Sequence, residues 1–197
     1  MSRSTAWLAS TALFALLLVP VTLRADAWNQ QTKVTFSAPV EVPGTALQAG
    51  TYIFKLLGSD TDRNIVQIFN ADGTQLEATI LAVPDKRLHA TGRTVMNFAE
   101  RPANSPVALK AWFYPGDIYG QEFVYPYSRA LELAKVNKQP VFSTRSDLTP
   151  YVKEQMKSDQ DADAQTMKNA PVKEVSPSGQ ETEIPPANES ASAHPKS

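Results

Sequence analysis

Residues 65–83 read IVQIFNADGTQLEATILAV, and this stretch decides the fold class. Two runs with the residue types of β-strands, 65–69 and 75–83, lie on either side of the segment 70–73. The pair Asp72-Gly73 in that segment supplies the left-handed backbone positions that a tight hairpin turn requires. The stretch therefore predicts a β-hairpin.

The same pattern continues outward from the hairpin, over residues 28 to about 142. Apolar residues mostly alternate with polar ones, and turn residues recur at short intervals, which is typical of an all-β domain. Further strands are predicted at 34–42, 52–56, 93–98, 109–114 and 121–125. With the hairpin, these segments amount to about seven or eight short strands.

One helix is predicted on the C-terminal side of the strands. The segment Tyr127–Asn137 has small or apolar residues at helical spacing, and Ser128 is available as its N-cap. The spaced residues are Ala130, Leu131, Ala134 and Val136. The elements together predict a mainly β fold, a single β-sandwich or open barrel of short antiparallel strands with the helix packed on an end or edge. This domain is expected to span residues 28–146.

Composition excludes several classes of function. The chain has 197 residues, 19 Lys and Arg against 20 Asp and Glu, and a formal net charge of −1. No global basic field exists to hold nucleic acid. Cysteine is absent, which removes disulfides, thiolate catalysis, cysteine-ligated zinc and iron–sulfur clusters. A domain of this size buries roughly two-thirds of its unfolded surface, so it can fold without disulfides.

Residues 1–27 have the pattern of a secretory signal peptide. A positive charge at Arg3 precedes the uncharged stretch 4–23, and the segment ends in Ala25-Asp26-Ala27, whose small residues suit a signal peptidase. We expect cleavage after Ala27 and export to the periplasm or the outside of the cell, with membrane contact only before cleavage. The alternative is a retained anchor, but the strongly apolar part, 6–19, is shorter than the roughly 20 residues that span a bilayer.

The segment 147–197 is predicted to be a disordered, acidic, proline-containing tail. Residues 151–197 contain one aromatic residue, four residues of the types Val, Ile, Leu and Phe, and five prolines. Such a composition buries too little apolar surface to offset the loss of chain entropy. A short helix is predicted at 150–158, because Thr149 suits its N-cap and Pro150 its first position.

The sequence contains no motif that predicts catalysis, a metal or a cofactor. A nucleophile elbow, a dinucleotide-binding glycine motif and a P-loop are all missing. Of the two histidines, His194 lies in the predicted tail and His89 in a polar stretch, where we interpret it as a solvated loop residue. Acidic residues at 60–64 and 159–163 imitate calcium loops but lack the turn glycine and the closing glutamate.

Aromatic residues are concentrated in the segment 112–127. In one interpretation these rings fill the core of the domain; in the other they form a surface on which sugars or apolar ligands stack. The core interpretation is favoured, and Tyr119, near the end of a loop, is the best candidate for exposure. The candidate binding residues are Trp112, Tyr114, Asp117, Tyr119, Glu122 and Tyr125.

Four stretches carry a resemblance to a family. They are VEVPGTALQAGTYIFKL at 40–56, VQIFN at 66–70, AWFYPGD at 111–117 and EFVYP at 122–126. The chain resembles, over about residues 28–142, an uncharacterised family of exported bacterial β-rich proteins. The resemblance implies a β-rich fold and export, and it implies no activity and no catalytic residue.

Three functions remain open on the sequence. The leading hypothesis is a non-catalytic binding or structural module of the bacterial cell envelope, with a glycan or a protein as partner. The second is an envelope hydrolase that works with carboxylates alone, from the set Asp85, Glu100, Asp117 and Glu122, which requires two of them across a cleft. The third is a subunit that docks through an exposed strand edge or the predicted helix.

Overall fold

The computed structural model describes residues 31–58, 62–100 and 105–184. Within them, nine strands form a main sheet and four strands form a second sheet. The main sheet contains β1 (Gln31–Phe36), β2 (Val40–Val42), β3 (Thr45–Leu47), β4 (Gly50–Leu57), β5 (Asn64–Asn70), β6 (Leu76–Lys86), β7 (Val95–Ala99), β8 (Val107–Phe113) and β9 (Tyr119–Phe123). The second contains β10 (Tyr125–Pro126), β11 (Val141–Thr144), β12 (Lys173–Val175) and β13 (Glu181–Glu183). The helices are α1 (Tyr127–Asn137), α2 (Ala162–Lys168) and a 3-10 turn at Thr149–Tyr151.

The predicted hairpin is confirmed by strands β5 and β6. They pair antiparallel, with Ile65 opposite Leu81. In the turn between them, Asn70 Oδ1 accepts a hydrogen bond from the N–H of Thr74 at 2.9 Å. Gly73 has a φ of +70°, in the left-handed region that favours glycine. Local sequence is therefore enough to specify this turn.

The main sheet is curled around one core. Its strands lie in the order β1, β4, β5, β6, β9, β8, β2, β3, and β7 also pairs with β8. The ring centroids of Phe54 in β4 and Trp112 in β8 are 5.9 Å apart, although three strands separate β4 from β8 in the sheet. Most neighbours are antiparallel, as predicted, but β2 runs parallel to β8. In the described residues the fold is mainly β, and neither sheet closes on itself.

The two central strands, β5 and β6, are buried on both faces. Val66 and Ile80 point into the main core, whereas Ile65 and Leu81 belong to a second cluster of buried residues. The second cluster is completed by residues from the C-terminal part of the chain, including Met167. Burial of both faces explains why the sequence of β5 is a nearly continuous apolar run.

The prediction of a disordered segment over 147–197 is wrong for residues 147–184. These residues form the 3-10 turn, α2, β12 and β13, and they cover the outer face of β5 and β6. The prediction counted mainly branched and aromatic side chains, but Met156, Ala164, Met167 and Ala170 supply much of the buried apolar surface here. The predicted helix at 150–158 is reduced to the 3-10 turn.

Two polar side chains of the central strands hold this C-terminal segment. The backbone N–H of Thr79 donates a hydrogen bond to Val152 O at 2.7 Å, and its side-chain Oγ1 donates one to Glu154 O at 2.7 Å. The side-chain amide of Gln67 lies against the backbone of Met156, with its nitrogen 3.0 Å from Met156 O and its oxygen 2.8 Å from Met156 N. The segment is therefore joined to the sheet by hydrogen bonds as well as by apolar packing.

A helix is present at the predicted place, with two differences from the prediction. Its buried residues are Ala130, Leu133 and Ala134, whereas Val136 is 42% exposed. Its N-cap is Pro126, and Ser128 makes no capping hydrogen bond. The described residues also contain a second helix, α2, whereas the sequence predicted one helix in the domain.

The predicted domain boundary at residue 146 would divide the second sheet. Strand β11 precedes this boundary and pairs antiparallel with β12, which follows it, so that Phe142 lies opposite Glu174. The signal peptide predicted at 1–27, with its cleavage residues Ala25 and Ala27, and the last residues of the predicted tail, 185–197, lie outside the described residues. No helix in the described ranges is long and apolar enough to cross a membrane.

Candidate functional site

Two of the six predicted binding residues are part of the core. Trp112 is 1% exposed and Tyr125 is 2% exposed. The hydroxyl of Tyr125 donates a hydrogen bond to Leu109 O at 2.8 Å, which satisfies its polar group inside the protein. Burial therefore supports the core interpretation for these two rings, and neither can stack on a ligand at the surface.

Three other predicted residues lie at the end of the hairpin formed by β8 and β9. Tyr114 is half-buried against the main core, and Asp117 accepts the N–H of Tyr119 at 2.9 Å. Tyr119 is 54% exposed, which confirms its exposure. The predicted binding residues therefore do not share one surface, because Trp112 points into the core while Tyr119 points to solvent.

The sixth predicted residue, Glu122, is largely buried, with 14% of its side chain exposed. Burial raises its pKa from 4.5 to about 7, Lys110 opposes this shift, and the charges of Asp85 and Glu174 add to it. The amine of Lys110 lies 3.7 Å from Glu122 Oε1. The cavity beside the pair has a volume of about 40 Å³, which is room for about one water molecule.

The other predicted carboxylates occupy different places. Asp85 Oδ1 accepts the N–H of Lys86 at 2.6 Å, at the end of β6. Glu100 follows β7, where its N–H donates to Asn137 Oδ1 at 2.7 Å and its carbonyl oxygen accepts from Asn137 Nδ2. Glu100 therefore lies against the end of α1. The side chain of Asn137 binds backbone groups of Glu100, just after the edge strand β7, and so covers the end of that strand.

A cavity that the sequence analysis missed lies between the main sheet and the C-terminal segment. Its volume is about 310 Å³, within the range of small-molecule sites. It is surrounded by the turn between β2 and β3, strand β6, the segment from Val124 to the start of α1, the loop that follows β11, and two residues of the C-terminal segment, Val152 and Met167. It is lined by Pro43, Gly44, Thr79, Ile80, Leu81, Val124, Pro126, Tyr127, Ser128, Thr144, Arg145, Ser146, Asp147, Leu148, Thr149, Val152 and Met167.

The cavity is apolar on one side and polar on the other. Leu81, Val124 and Met167, which line it, belong to the second cluster of buried residues. The loop 144–149 and the start of α1 contribute hydroxyl groups, one guanidinium group and one carboxylate. Such a division suits a ligand with an apolar body and one polar end.

The polar side of the cavity is built from residues with defined positions. The guanidinium carbon of Arg145 lies 3.6 Å from the ring centroid of Tyr127, and Arg145 Nε donates to Glu181 Oε1 at 2.8 Å. Thr144 Oγ1 donates to Pro171 O at 2.8 Å and accepts the N–H of Ser146. These contacts hold the loop against the second sheet.

One carboxylate stands at the polar side. Asp147 Oδ1 accepts the N–H of Thr149 at 3.0 Å, and hydrogen bonding from Thr149 lowers the pKa of Asp147. Its negative charge and that of Glu181 offset the positive charge of Arg145. The polar side therefore suits a neutral hydrogen-bonding group better than a strongly charged one.

The wall formed by the turn between β2 and β3 depends on glycine. Gly44 has a φ of +83°, and a Cβ atom at this position would lie 2.6 Å from Val152 Cγ2. Any larger residue would strain the turn and push on the C-terminal segment. The close approach of Gly44 to Val152 therefore sets the width of the cavity on this side.

No signal in the sequence located this cavity, because its walls come from segments distant along the chain. The nearest signal is the polar run at 143–147, Ser-Thr-Arg-Ser-Asp, which directly follows the apolar pair Val141-Phe142. The predicted domain boundary at residue 146 falls inside this run. In the described residues, no cluster of three or more His, Asp or Glu side chains could hold a metal ion, and His89 is exposed.

Comparisons with protein-family models, with curated proteins and with solved structures found no match to this chain.

Proposed function

We propose that this chain is a non-catalytic binding module exported to the bacterial cell envelope, and that its cavity holds a small, largely apolar molecule with one neutral polar end. The observation that carries the proposal is a formed cavity of about 310 Å³ with an apolar side and a hydrogen-bonding side. At about 30 Å³ for a group the size of water, this volume accommodates about ten non-hydrogen atoms.

The proposed ligand site is the cavity and not the aromatic residues of the hairpin formed by β8 and β9. Trp112 and Tyr125 are buried, so a sugar-stacking surface on these rings has no support. By contrast, Ser128 and Ser146 line the cavity with hydroxyl groups next to apolar walls. A hydroxyl or amide end of a ligand would find both donors and acceptors there.

A finer description of the fold accompanies this proposal. We propose that the main sheet is an open barrel rather than a sandwich. The support is the edge-on contact between Phe36 of β1 and Phe98 of β7, whose ring centroids are 6.2 Å apart. Strand β1 ends the sheet on one side and β7 pairs only with β8, so this contact brings two strand edges together.

A thermal-shift titration of the chain from Trp28 to Ser197 tests the binding function. The probes are 1-octanol and octanamide, and a saturable rise in melting temperature is expected with at least one of them. Ser128→Trp should remove the rise, because Ser128 is exposed and lines the cavity. The matched control is Ser37→Trp, at an exposed position away from the cavity, which should keep it.

Two results would count against the proposal. In one, no probe raises the melting temperature of the unaltered protein. In the other, Ser128→Trp and Ser37→Trp respond alike to the probe, which would place binding outside the cavity. Loss of the melting transition in Ser128→Trp would call for Ser146→Trp, on the other side of the cavity, as the blocking variant.

The hydrolase hypothesis is supported by the position of Glu122, which lies beside a small cavity 3.7 Å from the amine of Lys110 and whose pKa burial raises to about 7. A carboxyl group with this pKa can donate and accept protons near neutral pH. We propose this activity as the second candidate, with Asp85 or Glu174 as the second carboxylate. It predicts hydrolysis of 4-nitrophenyl glycosides that is lost in Glu122→Gln; absence of turnover by the unaltered protein would exclude these substrates.

A further inference from the structure

Two loops lie side by side at one end of the main sheet. The first connects β6 to β7, and the second connects β8 to β9. The N–H of Arg87 donates to Ile118 O at 2.9 Å, and the N–H of Gly116 donates to Thr91 O at 2.7 Å. Backbone hydrogen bonds therefore join the two loops into one unit, which we call the loop tip and define as residues 86–93 and 114–119.

The side chain of Arg87 makes the loop tip rigid. Its guanidinium carbon lies 4.9 Å from the ring centroid of Phe113. Its Nη2 donates to Asp117 O at 2.7 Å, and its Nη1 donates to Thr91 Oγ1 at 3.1 Å. Because these donors are used inside the protein, Arg87 serves to position the loops, and its charge is not available at the outer surface.

The loop tip exposes two large side chains that contain apolar surface. Leu88 is 92% exposed and Tyr119 is 54% exposed. Leu88 is therefore available to a partner, since transfer of its side chain from water to an apolar environment is favourable. The amine of Lys86 lies 5.6 Å from the ring centroid of Tyr119, which places this cation beside the exposed ring.

The loop that carries the exposed leucine also carries exposed cationic residues. Lys86 and Arg93 are exposed, and neither forms an ion pair within the part of the chain that the structure describes. The nearest acidic residues along the loops, Asp85 and Asp117, accept hydrogen bonds from backbone N–H groups. Within the loop tip, the exposed cations Lys86 and Arg93 outnumber the single acidic residue, Asp117, although the whole chain has a net charge of −1.

We propose that the loop tip binds the surface of a lipid bilayer that contains anionic lipids. Leu88 enters the hydrocarbon boundary, Tyr119 lies at the level of the headgroups, and Lys86 and Arg93 contact lipid phosphates. These positions follow the known preferences of the three residue types. Leucine partitions into hydrocarbon, tyrosine lies at the interface, and cations bind anionic headgroups.

The shape of the loop tip favours a bilayer over a protein partner. A stable protein interface buries about 800 Å² on each partner and contains a cluster of apolar side chains. The loop tip instead presents one fully exposed leucine and one tyrosine, together with exposed cations. A bilayer needs no complementary pocket, so one exposed leucine together with exposed cations suits weak, reversible attachment.

Co-sedimentation with large vesicles tests the proposal. The protein runs from Trp28 to Ser197, because the apolar stretch 4–23 would itself enter lipid. We expect binding to vesicles of phosphatidylglycerol and phosphatidylethanolamine, at least tenfold stronger than to vesicles of phosphatidylcholine alone, and weakened by 0.5 M salt. Leu88→Ser should lower the partition coefficient about tenfold. Lys86→Glu should lower it on anionic vesicles only.

The matched control is Val136→Ser, which removes an exposed apolar side chain from α1 at a distance from the loop tip. It should bind vesicles as the unaltered protein does. The proposal is overturned if the unaltered protein stays in the supernatant with anionic vesicles, or if Leu88→Ser and Val136→Ser bind equally. Circular dichroism and thermal melting of each variant confirm that the fold is retained, since Leu88 makes no core contact.

Discussion

Thr79 in strand β6 donates a hydrogen bond of 2.7 Å from its side-chain hydroxyl to the carbonyl oxygen of Glu154, 75 residues later in the chain. The same residue donates its backbone N–H to Val152 O at 2.7 Å. These two bonds connect the centre of the main sheet to the segment that forms one side of the cavity. Thr79 therefore contributes two hydrogen bonds to the attachment of the C-terminal segment, beside the contact of Gln67 with Met156 and the apolar packing.

Thr79→Val should weaken that attachment. The substitution keeps the shape of the side chain but leaves Glu154 O without its donor, so we expect a loss of about 1–2 kcal/mol in the free energy of unfolding. Urea unfolding measures this loss, and hydrogen exchange should show faster exchange over residues 149–156. Thr35→Val, which removes an exposed hydroxyl from β1, serves as control and should change stability by less than about 0.5 kcal/mol. Equal effects of the two substitutions would contradict the assignment.

Trp112 and Tyr119 should differ sharply in their contribution to stability. Trp112→Ala removes a ring that is 1% exposed and should cost about 3–5 kcal/mol. Tyr119→Ala removes a ring that is 54% exposed and should cost less than about 1 kcal/mol. Chemical denaturation of both variants gives the comparison, and similar losses in the two would show that Trp112 is not a core residue.

Glu122 should make the stability of the protein depend on pH. Burial raises its pKa in the folded protein to about 7, from 4.5. Between these values the folded state binds a proton that the unfolded state has lost, so stability falls as pH rises from about 4.5 to about 7. The fall from pH 5 to pH 8 attributable to this group is at most about 3 kcal/mol.

Glu122→Gln is the variant that isolates this effect, because a neutral amide cannot titrate. The decrease in unfolding free energy between pH 5 and pH 8 should be smaller in Glu122→Gln than in the unaltered protein. Glu100→Gln, at an exposed carboxyl group, should keep the full decrease. The same pH dependence in all three proteins would assign the proton to another group.

Gly44→Ala should destabilise the protein more than Gly116→Ala does. Both glycines have a left-handed backbone, with φ of +83° and +79°, so both substitutions carry the strain of that conformation. Only at Gly44 does the added Cβ meet another side chain, 2.6 Å from Val152 Cγ2, whereas nothing lies within 4 Å at Gly116. We expect about 2–4 kcal/mol for Gly44→Ala and about 1–2 kcal/mol for Gly116→Ala.

A double-mutant cycle shows whether the difference comes from the contact with Val152. In the background of Val152→Ala, the cost of Gly44→Ala should fall toward that of Gly116→Ala. An unchanged cost in this background would mean that the backbone of the turn, and not the side chain of Val152, resists the substitution.

The hairpin of β5 and β6 and the helix α1 were predictable because their specification is local. Asp72-Gly73 suits the left-handed turn, and the spacing of Ala130 and Ala134 places both on one side of a helix. The exposure of Tyr119 followed from its place near the end of a loop. In each case the residues that determine the structure lie within about ten positions of one another.

The order of the segment 147–184 was not predictable in this way. Its apolar content is carried by Met156 and Met167, whose flexible side chains fill space on a partner surface but do not predict a core by themselves. The partner surface is the outer face of β5 and β6. A segment that is too polar to fold alone can be ordered when it covers a face that would otherwise expose Ile65 and Leu81.

The sequence by itself therefore determined the strand-rich architecture, the central hairpin and the main helix, since alternation, turn residues and helical spacing act between near neighbours. The tertiary structure alone decided that the C-terminal segment is ordered, that Trp112 and Tyr119 point to different surroundings, and that a cavity lies among Gly44, Ser128, Thr144 and Val152. These features depend on contacts between residues far apart in the chain, and such contacts exist only after the sheet has curled and its outer face has been covered.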